Sequence, residues 1–440
     1  MAKKDAAGKR TLKYPWWLET LAAIGVSATL AVIITLFFAV GRRPGRLIPT
    51  QAPAVDAPEF IAAVAGTAGA PVLKGGTVHL LNNGVEIFPA LLQALRAARH
   101  TITFSVYIWE AGQVSDQVGA ALIDRARAGV QVRVLLDGIG AMKAPGETIE
   151  AMKKAGVKIE TFRPVRFGKL TRFHQRNHRR AIVIDGEVGF TGGAAVADKW
   201  LGDADSEEHW RDTMVKVTGP PAASLQSAFA PLWAYESGEL LEGRTYFRPD
   251  NVEGDEGGLL HTGLSSSPSS EDHPLRLLFA QSFAAARHRL YITTPYFVPD
   301  GGTRRLVEQR ARAGVDVRIL LPDQHTDAKP IRLTTHRYYE EMLEAGVRVY
   351  EYQATMMHTK HVVVDGRWSI VGSPNMDIRS KELNMENVLG ILDAGFGAEL
   401  EATFMKDLTK SKEIKLDEWR RRGWLHRAAE RVCSLFEEQY

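Results

Sequence analysis

Two periodicities alternate along most of this chain. The runs TITFSVYI (Thr101–Ile108) and VQVRVLL (Val130–Leu136) are rich in β-formers and have strand length. Asp116–Ala128, between them, repeats its apolar positions at helical spacing and meets a stop signal at Gly129. Strand–helix–strand succession predicts a layered α/β fold on a mixed or mostly parallel sheet. One stretch obeys neither period. Leu21–Val40 is uncharged for twenty residues, about 30 Å of helix and so the thickness of a bilayer's hydrocarbon core. Trp16 and Trp17 stand where an interfacial aromatic belt belongs. The run ends in FFAVGRR without a small-x-small cleavage site, so it reads as an uncleaved membrane anchor. Five basic residues precede it and three follow, a bias that sets the N-terminus inside and the body outside.

The pattern then repeats. AARHTITFSVYIWE (Ala97–Glu110) is echoed by AARHRLYITTPYFVPD (Ala285–Asp300), and RARAGVQVRVLLD (Arg125–Asp137) by RARAGVDVRILLPD (Arg310–Asp323). AGVKIETF (Ala155–Phe162) returns as AGVRVYEY (Ala345–Tyr352), and HRRAIVID (His178–Asp185) as HTKHVVVD (His358–Asp365). The offsets are 188, 185, 190 and 180 residues, in unbroken order, which identifies an internal duplication. The expected organisation is a basic tail over 1–20, the membrane span over 21–40 and an Ala/Pro/Gly-rich linker over 41–72. A first repeat over 73–250 is followed by a low-complexity linker over 251–274 and a second repeat over 275–440 that ends in a helix. Two copies packed as a pseudo-dimer bring equivalent residues face to face, so a shared site is expected.

Charge narrows the function. The net charge is +3, but residues 1–46 carry +6, leaving −3 for the body, which argues against a nucleic-acid binder. Cys433 is the single cysteine, so intramolecular disulfides and Cys-rich zinc sites are excluded.

In each repeat a histidine is followed by a cation at +2 and Asp at +7: His178, Arg180, Asp185 and His358, Lys360, Asp365. On a strand, period two puts the histidine and the cation on one face. An Asp-Gly turn follows, then a second strand ending in Gly192-Gly193 or Gly372-Ser373. Imidazole is a competent nucleophile toward phosphorus, and a neighbouring Arg or Lys neutralises phosphate oxygens as charge builds. Two histidines divide the work: one forms a phosphohistidine, the other protonates the leaving alcohol and deprotonates the incoming one. Zinc is the rival reading, from His174 with His178 and His358 with His361. Arg172, Arg176, Arg179 and Arg180 crowd the first pair, and no H-E-x-x-H pattern occurs. His174 and His361 read as structural, and no metal or organic cofactor is expected.

These residues resemble the phospholipase D superfamily, whose mark is H-x-K-x4-D followed by Gly-Ser-x-Asn, usually twice in one chain. HTKHVVVDGRWSIVGSPN matches throughout, with Gly372, Ser373 and Asn375; HRRAIVIDGEVGFTGGAA departs at Arg180 and at Ala195. The motif regions are 172–199 and 352–379. YIWE (Tyr107–Glu110), HWRDT (His209–Thr213), TPYFVPD (Thr294–Asp300) and RSKELNMEN (Arg379–Asn387) are similar to bacterial cardiolipin synthases. The resemblance implies two α/β/α sandwich repeats forming a pseudo-dimer, preceded by one transmembrane helix. It implies a phosphatidyltransferase that joins two phosphatidylglycerol molecules into cardiolipin and releases glycerol at the cell membrane. His178 and His358 become nucleophile and general acid/base, with His178 favoured as nucleophile. Arg180, Lys360 and Asn375 bind phosphate oxygens, with Ser373 beside them. Glu386 orients a histidine, and Asp212 is its counterpart in the first repeat. Asp185 and Asp365 belong to the catalytic motif and are read as holding local structure. Tyr296 and Phe297 line the entrance or belong to the core. The Arg/Lys cluster from Arg163 to Arg180 draws anionic headgroups, whereas Trp419 and Trp424 around Arg420–Arg422 pack inward from a solvated helix, the other reading being that this segment rests on an anionic membrane surface. The alternatives are a hydrolytic phospholipase D, a phospholipase D-like nuclease and a non-catalytic lipid-binding scaffold.

Overall fold

A computed structural model describes residues 3–4, 10–11, 15–38, 47–165, 174–249, 258–268 and 273–437. The chain divides into two units, residues 1–45 and residues 46–438. In the first, β1 (Lys3–Lys4) pairs antiparallel with β2 (Arg10–Thr11), and helix α1 spans Trp16–Phe38. Thr20 and Thr29 donate their hydroxyls to the carbonyls of Trp16 and Gly25, at 2.9 and 2.8 Å, which satisfies these polar groups inside an apolar helix. Helix α1 takes in Leu21–Phe38 of the expected span. Ala39, Val40 and the side chains beyond Thr29 lie outside the described residues. Among the described residues no helix is long and apolar enough to cross a membrane.

In the second unit α2 (Pro58–Ala68) and β3 (Val72–Lys74) precede the first repeat. That repeat comprises β4 (Thr77–Asn82), α3 (Asn83–Ala97), β5 (Thr101–Val106), α4 (Gln113–Arg127), β6 (Gln131–Asp137), α5 (Gly146–Lys154) and β7 (Lys158–Phe162). It closes with β8 (Ala181–Ile184), β9 (Val188–Gly192), β10 (Thr213–Thr218) and α6 (Pro220–Ser237). The second comprises β11 (Leu260–Ser266), α7 (Pro274–Ala285), β12 (Arg289–Thr293), β13 (Phe297–Val298), α8 (Gly301–Arg312), β14 (Asp316–Pro322) and α9 (Lys329–Glu344). It continues through β15 (Arg348–Tyr352), β16 (His361–Val364), β17 (Trp368–Gly372), β18 (Met376–Asp377), α10 (Ile378–Glu382), β19 (Glu386–Leu392) and α11 (Ala394–Leu408). After these come β20 (Ser411–Ile414), α12 (Leu416–Arg420) and α13 (Trp424–Ser434).

The duplication is visible strand for strand. The first sheet runs β4-β10-β9-β8-β5-β6-β7, and the same order recurs in the second as β11-β19-β17-β16-β12-β14-β15, with β3 and β20 added at its ends. Both sheets are mixed: β5-β6-β7 and β12-β14-β15 are parallel, the other pairings antiparallel. Strand β5 is buried at every position, as its unbroken apolar and small-polar run requires for a strand covered on both faces. Helices cover both faces of each sheet. Between the two sheets lies a shared core in which Leu225, Phe229 and Trp233 of α6 meet Phe396 and Leu400 of α11, with Val183, Val363 and Leu389 from the strands.

Two expected linkers are partly structural. Within 41–72, helix α2 places Phe60, Val64 and Ala68 at i, i+4 and i+8 into the core of the second sheet. The Phe60 ring packs edge-on against Trp368 at 5.2 Å. Within 251–274, strand β11 pairs with β19 on one side and β3 on the other, so β3 belongs to the second sheet although it precedes the first repeat. Ala, Gly and Ser composition hid both segments, because small residues pack closely without a strong apolar signal.

Removing the Phe60 ring leaves a cavity against Trp368, and a buried Phe→Ala change costs about 3–5 kcal/mol. Phe60→Ala is therefore expected to lower the denaturant midpoint of the body markedly, whereas deletion of residues 1–45 leaves it in place. A silent Phe60→Ala would return residues 47–72 to the status of a linker.

Candidate functional site

Each histidine motif leads into a β-hairpin. In β8–β9 the turn is Asp185-Gly186, with φ of 53° and 63°, and in β16–β17 it is Asp365-Gly366, with 54° and 66°. Left-handed values at both central residues define the type I′ hairpin turn, which Asp-Gly favours. The two acids do more than turn the chain. Asp185 accepts from the backbone N–H groups of Arg99, His100 and Thr101 at 2.7–2.9 Å. Asp365 accepts equally from Arg287, His288 and Arg289. Both lie at the far end of their strand from the histidine, so they clamp the start of β5 or β12 and do not join the reactive groups.

The other ends of the hairpins meet. His178 N–H donates to Met385 O at 2.9 Å and Met385 N–H to Arg176 O at 2.9 Å. The equivalent exchange runs from His358 to Arg211 O at 2.8 Å and from Arg211 to Met356 O at 2.9 Å. Each histidine segment is thus stitched to the segment of the opposite repeat that carries the acid. Nδ1 of His178 lies 2.9 and 3.0 Å from the two oxygens of Glu386, and Nδ1 of His358 lies 2.8 Å from Asp212 Oδ2. An imidazole that donates from Nδ1 keeps its lone pair on Nε2. The acids are held in turn: Ser373 Oγ and Asn384 Nδ2 donate to Glu386, and Trp200 Nε1 donates to Asp212 at 2.7 Å.

The cations complete the group. Lys360 Nζ lies 3.1 Å from both ring nitrogens of His358 and donates to its carbonyl at 2.9 Å. Arg180 donates through Nη1 to His178 O at 2.8 Å, while its buried Nε and Nη2 have no hydrogen-bond partner among the described residues. The Asn375 side-chain oxygen is likewise buried and unpaired, and Ala195 belongs to the first core. All these groups are almost fully buried; His178 and His358 keep 8% and 5% of their surface exposed.

Desolvation governs the protonation states. It holds both histidines well below their usual range, aided by the charges of Arg180 and Lys360, so both are neutral at pH 7. It lowers Lys360 to about 7, against the pull of Asp212. It raises Asp212 to about 6 and Glu386 to about 7, against the nearby cations. Two imidazoles, two carboxylates, an ammonium and a guanidinium in one water-poor centre can bind a phosphodiester anion, attack it and move a proton.

Aromatic rings wall the centre. Tyr107 lies 5.0 Å from the His178 ring, and Trp200 and Trp210 each lie 5.3 Å from His358. Tyr107 and Trp210 fall inside the YIWE and HWRDT strings, which was the available signal; Trp200 lies outside those strings. Phe297 is wholly buried core, and the Tyr296 hydroxyl donates to Asp327 at 2.6 Å. His361 Nε2 lies 3.1 Å from Thr293 Oγ1, apart from His358's partners, and the His174 carbonyl accepts from Arg379. Of the basic cluster between Arg163 and Arg180, Arg166, Lys169 and Arg172 lie outside the described residues. Arg176 and Arg179 are buried rather than presented to a headgroup: Arg176 lies against Asp137, and Arg179 donates to the Ala228 and Ser266 carbonyls.

A family model described as cardiolipin synthase, PLD-like domain, matches residues 91–233 and 279–408, one segment in each repeat. The chain is 34% identical over 368 residues to a cardiolipin synthase of Halalkalibacterium halodurans, covering 83% of this chain and 72% of that one. It is 36% identical over 367 residues to cardiolipin synthase A of Pseudomonas fluorescens, covering 83% and 75%. The crystal structure of phosphatidylserine synthase from Haemophilus influenzae shares the fold, with a TM-score of 0.66 at 16% identity over 86% of this chain and 97% of that one. With both repeats matched and the motif pair meeting at one centre, the chain belongs to the cardiolipin synthase family of phospholipase D-like proteins.

Proposed function

We propose that this chain is a phosphatidyltransferase that makes cardiolipin from two phosphatidylglycerol molecules and releases glycerol. The observation that carries the chemistry is the crossed pairing of His178 with Glu386 and His358 with Asp212. In the first half-reaction Nε2 of His178 attacks phosphorus, the bond to glycerol breaks, and the departing oxygen takes a proton from Nε2 of His358, which the bound phosphodiester anion and Asp212 hold as imidazolium. In the second, His358 takes the proton from a hydroxyl of the incoming phosphatidylglycerol, whose oxygen displaces His178 from phosphorus. Atoms and charge balance, and both histidines return to their starting states. Arg180 and Lys360 neutralise the non-bridging oxygens, with Asn375 beside them. Neither half-reaction has a step for a metal ion. The uncharged span in α1 suits a single-pass anchor in the cell membrane, with the body on the outer side by the charge bias, and anionic phospholipid as partner.

The direct test is to incubate detergent-solubilised protein with phosphatidylglycerol and analyse the lipids. Cardiolipin with stoichiometric glycerol is expected; phosphatidic acid alone would establish hydrolysis instead. Turnover is expected to survive excess EDTA, and loss restored by one specific divalent ion would defeat the two-histidine scheme.

The cations make a graded prediction. Arg180→Ala removes two buried donors at the phosphate and is expected to lower kcat by roughly 10²-fold or more, as loss of an oxyanion donor does. Arg180→Lys costs less, because one ammonium replaces a planar fork. Near-full activity in Arg180→Ala would reduce the first repeat to a scaffold.

The pH profile follows from the same groups. Glu386 at about 7 and Asp212 at about 6 must ionise to hold Nδ1–H, so kcat/KM rises through pH 6–7. Lys360 at about 7 must stay protonated to meet the anion, so kcat/KM falls above that pH. A narrow bell is expected, and Lys360→Arg, charged throughout, should move its alkaline limb upward. An unmoved limb would assign that ionisation to another group.

A further inference from the structure

Helix α13 is inverted. A surface helix turns its apolar stripe to the core and its polar face to water; here the polar residues face the protein. His426 Nε2 lies 3.1 Å from Nδ1 of His336 on α9, and Glu430 accepts from Arg422 at 2.8 and 3.2 Å. Just past the helix, Glu437 accepts from the Tyr338 hydroxyl. Trp419 packs inward as expected, 4.9 Å from both His336 and Tyr339, but Trp424 does not. Trp424, Leu425, Val432 and Leu435 are exposed by 75, 66, 58 and 76%. At 100° per residue they fall, with exposed Ala428, within an arc of about 100°, and exposed Arg427 and Arg431 run along one flank. Arg427 donates to the Arg420 carbonyl, which cancels no charge.

The inward contacts fix this orientation. Rotating α13 to bury its apolar side would carry His426 and Glu437 away from the buried His336 and Tyr338, and polar groups cost most when left buried and unpaired. An apolar arc held outward beside a row of cations matches one surface by chemistry, the headgroup–acyl boundary of an anionic bilayer. We propose that α13 is an interfacial helix that lays its apolar face into an anionic membrane and seats the body on its substrate's surface. This rests on the reading of the substrate as an anionic phospholipid and adds the element that meets the membrane. It lies beyond the segment matched by the family model, which ends at residue 408.

The test uses the full chain with Cys433→Ser and Leu435→Cys, labelled with an environment-sensitive fluorophore and reconstituted in vesicles of phosphatidylcholine with or without phosphatidylglycerol. Blue-shifted, brighter emission that is quenched by a spin label on the lipid chains is expected in the phosphatidylglycerol vesicles. Adding Arg427→Gln and Arg431→Gln should reduce that shift. Water-like emission in every vesicle would overturn the proposal. So would a shift in neutral detergent micelles that grows with protein concentration, because a second copy would then cover the face. Cardiolipin formation is assayed on the same labelled protein. Synthesis without immersion of α13 sinks this proposal alone, and immersion without synthesis sinks the functional reading alone.

Discussion

Neither repeat of this chain can orient its own histidine. Glu386 belongs to the second repeat and holds His178 of the first; Asp212 belongs to the first and holds His358 of the second. The constraint reaches outward through the backbone, where His178 and Met385, then His358 and Arg211, exchange main-chain hydrogen bonds across the repeats. The buried Arg211–Asp407 ion pair ties the same regions together at 2.9 Å. The extensive core between the sheets, with α6 packed toward α11, keeps these pairings in register. A shift of either repeat by one residue would turn every side chain of its hairpin to the opposite face and break both dyads.

Such a centre is expensive to bury, and its composition limits the cost. Arg180 and Lys360 face Glu386 and Asp212, two positive groups against two negative ones, while the histidines stay neutral. Desolvation acts on all of them: it pushes the carboxylates up and Lys360 down until they lie near neutrality. A phosphodiester anion then adds negative charge beside Lys360 and favours its protonated form. In the proposed reaction Lys360 is therefore poised to be charged by the anion it would receive.

Much of this was legible in sequence. Four echoes in unbroken order gave the duplication, and strand period with Asp-Gly turns gave the hairpins and the facing of histidine and cation. Glu386 and Asp212 could be named, but the crossing of their partners needs the pseudo-dyad, which no local pattern encodes. Residues 58–68 and 260–266 read as linkers because their burial partners lie more than a hundred residues away along the chain, on the second sheet. The inversion of α13 escaped for a different reason. Periodicity reports that a helix has two faces; which face lies inward depends on His336, Tyr338 and Arg422, and these contacts exist only after folding.

The departures of the first motif form a connected set rather than a record of decay. In the second repeat Ser373 donates to Glu386. In the first, Gly193 takes the serine's place, and a Cβ there would fall 2.2 Å from Asp212 Oδ1. The lost hydroxyl donor is replaced by Trp200 Nε1, and Thr213 N–H supplies a second donor at 2.7 Å. Glycine, the shorter acid and the tryptophan thus fit one another: a Cβ at 193 would clash with Asp212, and loss of the Trp200 indole would remove one of the carboxylate's donors. The same logic extends to the cation. Ala195 offers no amide where the second repeat has Asn375, and Arg180 brings buried donors beyond the one spent on His178 O. A planar fork covers two oxygens where an ammonium acts as a point charge. The first repeat therefore loses a neutral donor and gains further charged donors at the same end of the β8–β9 hairpin, which in the proposed reaction would give the two halves comparable phosphate-binding capacity by different residues.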